Sequence, residues 1–66
     1  MELTVNGAGR TLPAGATVAD LVGLVTDQRR GLAVAVNGEV VPRGGWPATL
    51  LRDGDRVEVL SAAQGG

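Results

Sequence analysis

The sequence predicts an α+β domain, a mixed sheet of four to five strands with one helix packed across one face. Three observations lead there. Apolar and polar residues alternate near both ends, in Met1 to Asn6 and in Arg56 to Leu60, as half-buried strands do. Between them one stretch, Val18 to Thr26, carries helical spacing, and Asn37-Gly38 separates two short apolar runs as a hairpin turn would. A chain of 66 residues buries only ~60% of the surface it exposes when unfolded, so a helix laid on a sheet is the economical way to close one core.

The elements follow in order. Leu3 and Val5 share one face of the first strand. Asn6-Gly7-Ala8-Gly9 supplies turn chemistry, and Arg10-Thr11-Leu12 returns as a second strand until Pro13. Thr17 stands where a helix N-cap belongs. Asp20, three residues on, completes a capping-box pair and suits the positive end of the helix dipole. Val18, Leu21, Val22 and Val25 fall at i, i+3, i+4 and i+7, one apolar face of a helix over 18–26, with Gly23 tolerated on the solvated side. Arg29 and Arg30 before Gly31 read as the helix end. Ala33 to Val36 and Glu39 to Val41 form the hairpin around Asn37-Gly38, closed by Pro42.

The stretch from Arg43 to Thr49 has no periodicity and reads as an irregular loop. Its Trp46 either anchors a partner or covers one end of a thin core, the second being favoured. Arg52-Asp53-Gly54-Asp55 is a polar turn into the last strand. Val57 and Val59 there should face the helix, and Arg56, Glu58 and Leu60 the other side. A right-handed crossover through the helix sets the strands on either side of it parallel. This order of elements describes the β-grasp, or ubiquitin-like, architecture, with the last strand central and its end pointing away from the domain.

Composition excludes several function classes. Without cysteine there is no disulfide, thiolate nucleophile or sulfur ligand; without histidine the usual general base and commonest metal ligand are missing. The seven acids show no paired-carboxylate or metal-loop spacing, so no metal and no catalytic residue of the chain's own is expected. A net charge of -1, six scattered arginines and a single aromatic residue argue against nucleic acid. No apolar run nears the ~20 residues of a membrane span and no signal pattern opens the chain, which reads as cytoplasmic.

What remains is the end. Residues 1–60 read as the domain and 61–66, Ser61-Ala62-Ala63-Gln64-Gly65-Gly66, as a flexible tail. An α-carboxyl titrates near ~3.3 to 3.7, so Gly66 would carry an ionised carboxylate that must be activated before its carbonyl carbon accepts another group. Two glycines in a row can thread a narrow slot in another protein's active site. Gly66 is thus the expected site of modification. Gly65 and Gln64 are the residues that thread into partner sites, and Leu60 and Ala62 are candidate docking positions. For Leu60 an ordinary exposed leucine is an equal alternative.

Asn37-Gly38-Glu39-Val40-Val41-Pro42-Arg43, Trp46, Leu51, Asp53-Gly54-Asp55-Arg56-Val57-Glu58-Val59-Leu60 and Gly65-Gly66 together resemble the ThiS family, the bacterial sulfur carriers of thiamin biosynthesis. Leu3 to Gly7 and Ala14-Gly15-Ala16-Thr17-Val18 are similar too, so the resemblance covers essentially the whole chain. It implies a protein cosubstrate with no permanently bound cofactor rather than an enzyme. A ThiF-like adenylyltransferase would use ATP and magnesium to convert the Gly66 carboxylate into an acyl-adenylate. A persulfide from a sulfurtransferase or cysteine desulfurase would displace AMP, leaving a C-terminal thiocarboxylate. A ThiG-like thiazole synthase would take that sulfur for the thiazole ring. The chain departs from the family in lacking phenylalanine, tyrosine and lysine, which reads as exchange within a core of kept volume and pattern.

Three alternatives stand beside this reading. The small subunit of molybdopterin synthase, MoaD, has a similar fold and tail but is usually longer. A non-covalent β-grasp interaction module would make the terminal glycines incidental. A protein modifier joined to target lysines needs the same activation, and the absence of lysine here excludes chains built on its own side chains.

Overall fold

The computed structural model describes residues 1–28 and 30–61. Among these residues seven elements form: β1 (Glu2–Val5), β2 (Ala8–Thr11), α1 (Val18–Val25), β3 (Leu32–Val36), β4 (Glu39–Val41), a 3₁₀ helix (Arg43–Ala48) and β5 (Arg56–Ser61). The strands make one mixed sheet in the order β2-β1-β5-β3-β4, with β5 in the middle. It runs parallel to β1, with Thr4 opposite Arg56 and Val5 opposite Val57, and antiparallel to β3 from Leu32↔Ser61 to Val36↔Val57. Through these pairings β2 and β3 run in the same direction, as the crossover through α1 requires, with β1 and β5 between them.

Period-2 alternation decides which side is buried. Leu3, Val5, Val34, Val57 and Val59 line the face under the helix, where they meet Val18, Leu21 and Val22 of α1. Arg56, Glu58 and Leu60 point to the opposite, exposed face, as expected. The predicted capping box forms. Asp20 N–H donates to Thr17 Oγ1 at 3.2 Å, and Thr17 N–H donates to Asp20 Oδ2 at 2.9 Å. Thr17→Ala removes one half of that exchange and is expected to cost on the order of 1 kcal/mol, read as a shift in urea midpoint; a cost below the error of the measurement would show that the Asp20 half suffices.

Three expectations are corrected. The first turn is only Asn6-Gly7, at φ 52° and 83°, so Ala8 and Gly9 already pair in β2. A two-residue turn with both φ positive matches the right-handed twist of its strands, so pairing runs right up to it. The helix ends at Val25, before the arginines. Thr26 is extended, and its Oγ1 accepts the Gln28 N–H at 3.0 Å, so the hydroxyl competes with the next helical turn. The last turn of α1 therefore carries no cation; Arg30 lies beyond it, Arg29 lies outside the described residues, and Gly31, at φ 68°, serves the entry into β3.

The third correction is the stretch after Pro42, which is a 3₁₀ helix rather than an irregular loop. Gly45 N–H donates to Pro42 C=O at 2.8 Å and Thr49 N–H to Trp46 C=O at 3.3 Å. It presses Trp46 into the core, where the indole N–H donates to Val41 C=O at 2.9 Å. Trp46 thus closes one end of the core, the favoured of its two readings.

Candidate functional site

Of the expected modification, threading and docking residues, Leu60 is the one that lies among the described residues. Gln64, Gly65, Gly66 and Ala62 lie outside the described residues. Leu60 is 58% exposed on the sheet face away from α1, beside its β3 partner Ala33. One row along, Val40 of β4 is 72% exposed and pairs with Ala35, which in turn pairs with Glu58 of β5. Val40, Ala35, Ala33 and Leu60 therefore form an apolar strip across three strands, with Glu58 and Arg56 beside it. The strip ends one residue before Ser61, from which the chain runs on to 66.

Two details were not legible as more than turn chemistry. Both Asn-Gly turns aim the asparagine side chain at β5. Asn37 N–H donates to Arg56 C=O at 2.7 Å, its Oδ1 accepts the Arg56 N–H at 3.0 Å, and its Nδ2 donates to Asp55 Oδ1 at 3.0 Å. From the other side Asn6 N–H donates to Val57 C=O at 2.9 Å; its Oδ1 accepts the Val59 N–H at 2.9 Å and its Nδ2 donates to Val59 C=O at 3.0 Å. The signal was the choice of asparagine twice, since a carboxamide offers a donor and an acceptor where aspartate or glycine does not.

Among the described residues no group of three or more His, Cys, Asp or Glu side chains could hold a metal ion. No described helix is long and apolar enough to cross a membrane. The acids near β5 are held by the fold. Asp53 Oδ1 accepts the Glu2 N–H at 2.6 Å and Asp55 Oδ2 the Arg52 N–H at 2.8 Å. A groove of about 510 Å³ between the end of α1 and the 3₁₀ helix has Arg43 over the Trp46 ring, 5.6 Å from its centroid. Among the described residues it gathers no set of acid, base and nucleophile.

Comparison with known proteins places this geometry. The chain is 30% identical over 66 residues to the sulfur carrier protein ThiS of Escherichia coli, covering all of both chains. It is 35% identical over 66 residues to part of a thiazole synthase of Paramagnetospirillum magneticum; the whole chain matches there but spans only 20% of that protein's length. Among solved structures, the crystal structure of a thiamine biosynthesis protein (ThiS) from Geobacter metallireducens superposes with a TM-score of 0.82 at 39% identity, covering 92% of this chain and 93% of that one. A solution structure of a thiamine biosynthesis protein from the same organism gives a TM-score of 0.73 at 40% identity, covering 91% and 81%. The ThiS family profile matches residues 3–66, and the chain belongs to the ThiS family.

Proposed function

We propose that this protein is a sulfur carrier of thiamin biosynthesis whose Gly66 carboxylate is converted to a thiocarboxylate. The observation that carries the reading is the end-to-end match with a sulfur carrier of the same family, over a fold whose central strand leads directly into the glycine tail. The match of the whole chain to one segment of a thiazole synthase supports a thiazole synthase as the recipient of the sulfur.

The chemistry follows from the carboxylate. An anionic carboxylate is a poor electrophile, so its oxygen first attacks the α-phosphorus of ATP, bound with magnesium by a ThiF-like adenylyltransferase, and pyrophosphate leaves. The persulfide of a sulfurtransferase or cysteine desulfurase then attacks the acyl carbon and AMP leaves. A thiol of the partner cleaves the resulting acyl disulfide, forming its own disulfide and releasing the thiocarboxylate. The carrier supplies no acid, base or metal to these steps. Its part is to be held by the partner and to deliver Gly66, with Gly65 and Gln64 in the slot.

The test is the intact mass of the purified protein incubated with ATP, magnesium, the adenylyltransferase and a persulfide donor. Replacement of one oxygen by sulfur, placed on Gly66 by fragmentation, is the expected result; no gain with an adenylyltransferase proven on another carrier would overturn the reading. The strip ending at Leu60, with Ala62 beyond it, is the proposed docking surface. Leu60→Glu is expected to weaken binding of the adenylyltransferase about tenfold or more while the melting temperature holds, as for truncation of an apolar anchor. Equal affinities for the two proteins would remove Leu60 from the surface.

A further inference from the structure

The parallel pairing of β1 with β5 stops at Val5↔Val57, because the chain turns away at Asn6-Gly7. Beyond that point β5 continues for four residues, through Ser61, with β3 paired along its other side. The Asn6 carboxamide fills the next place on the open side. Its Oδ1 and Nδ2 take both backbone groups of Val59, as a further peptide unit of β1 would have done. Asn37 does the corresponding work at Arg56, the opposite end of the same strand.

From these contacts we infer that Asn6 is a positioning residue for the sulfur-accepting tail, fixing where β5 stops and the threading segment begins. The inference rests on the reading of Gly66 as the modified group. Five residues, 62–66, follow Ser61, and at most ~3.6 Å per residue gives them a reach of roughly 18 Å from that fixed point. Without the Asn6 bonds both backbone groups of Val59 lose their side-chain partners, so Val59 and the residues after it are held less firmly. When they fray, the launch point moves back toward Val57, and more residues must be ordered each time the tail enters a partner. The strip ending at Leu60 loses its fixed relation to the tail in the same event.

The discriminating experiment compares Asn6→Gly with Asn37→Gly in the full chain. Glycine accepts the positive φ of both sites, 52° and 53°, so each change removes a carboxamide without forcing the backbone. Both should lower the melting temperature to a similar degree. Only Asn6→Gly is expected to raise the KM for the carrier in the adenylyltransferase reaction, about tenfold for two lost hydrogen bonds, with kcat within about twofold. The Val59 amide should exchange with solvent faster in that variant alone. Should Asn6→Gly fail to fold, Asn6→Asp serves, since it keeps the acceptor for the Val59 N–H and sets a carboxylate against the Val59 carbonyl. If the wild-type chain accepts sulfur and the two glycine variants share the same KM, the inference falls and Asn6 is a structural residue only. A wild-type chain that accepts none overturns the carrier reading, and the inference with it.

Discussion

Removal of Gly66 is expected to slow sulfur acceptance by at least about a hundredfold and to leave the unfolding transition where it was. The shortened chain still ends in a glycine carboxylate, so the chemistry of the acceptor is unchanged and only its place differs. One residue is ~3.3 to 3.6 Å of reach. A misplacement of even ~1 Å at a reacting centre can cost ~100-fold, because the rate depends on a near-attack geometry that the partner has fixed in advance. Stability should stay within ~0.5 kcal/mol, since the deleted residue lies five positions beyond the last residue of β5. The time course of the mass gain gives the rate, and urea denaturation the stability. Equal rates for the two chains would mean that the partner does not measure the tail, and would count against Gly66 as the group delivered.

Leu21→Ala should carry the largest effect on the fold. Leu21 is fully enclosed, at 0% exposure, between α1 and the sheet, and truncating such a leucine costs ~2 to 5 kcal/mol through lost transfer energy and the cavity left behind. A 66-residue domain at ~0.05 to 0.15 kcal/mol per residue has only ~3 to 10 kcal/mol in all. The variant is therefore expected to lose about half of the parent's stability, with a urea midpoint lowered in proportion. Leu24, three residues on and 61% exposed, is the internal control: Leu24→Ala should change stability by less than ~0.5 kcal/mol. Similar losses at the two positions would mean that the helix face is rotated from the one described.

The burial of Leu21 was readable in the sequence, because it belongs to the i, i+3, i+4, i+7 set with Val18, Val22 and Val25, whereas the exposure of Leu24 is a finding of the structure. Val57 and Val59 as core residues and the Thr17/Asp20 exchange were readable too, all local or periodic signals. What escaped was competition between local hydrogen bonds. Thr26 ends the helix by turning its hydroxyl to the Gln28 amide, so the last turn closes at Val25 without a cation. The 3₁₀ helix from Arg43 to Ala48 escaped because i→i+3 bonding repeats every three residues over too short a run to leave an amphipathic trace. At the site itself the alternation of β5 assigned Leu60 to the open face, but its neighbours Ala33, Ala35 and Val40 are set by strand register. The Asn6 contact with Val59 joins positions 53 residues apart, a distance no local pattern spans.

That same central place of β5 has a consequence for how the protein is made. The strand that joins β1 to β3 is made after the other four strands and the helix, so the two hairpins and the helix exist as chain before anything can weld them into one sheet. A polypeptide broken off before Arg56 has no sheet centre and no domain to present.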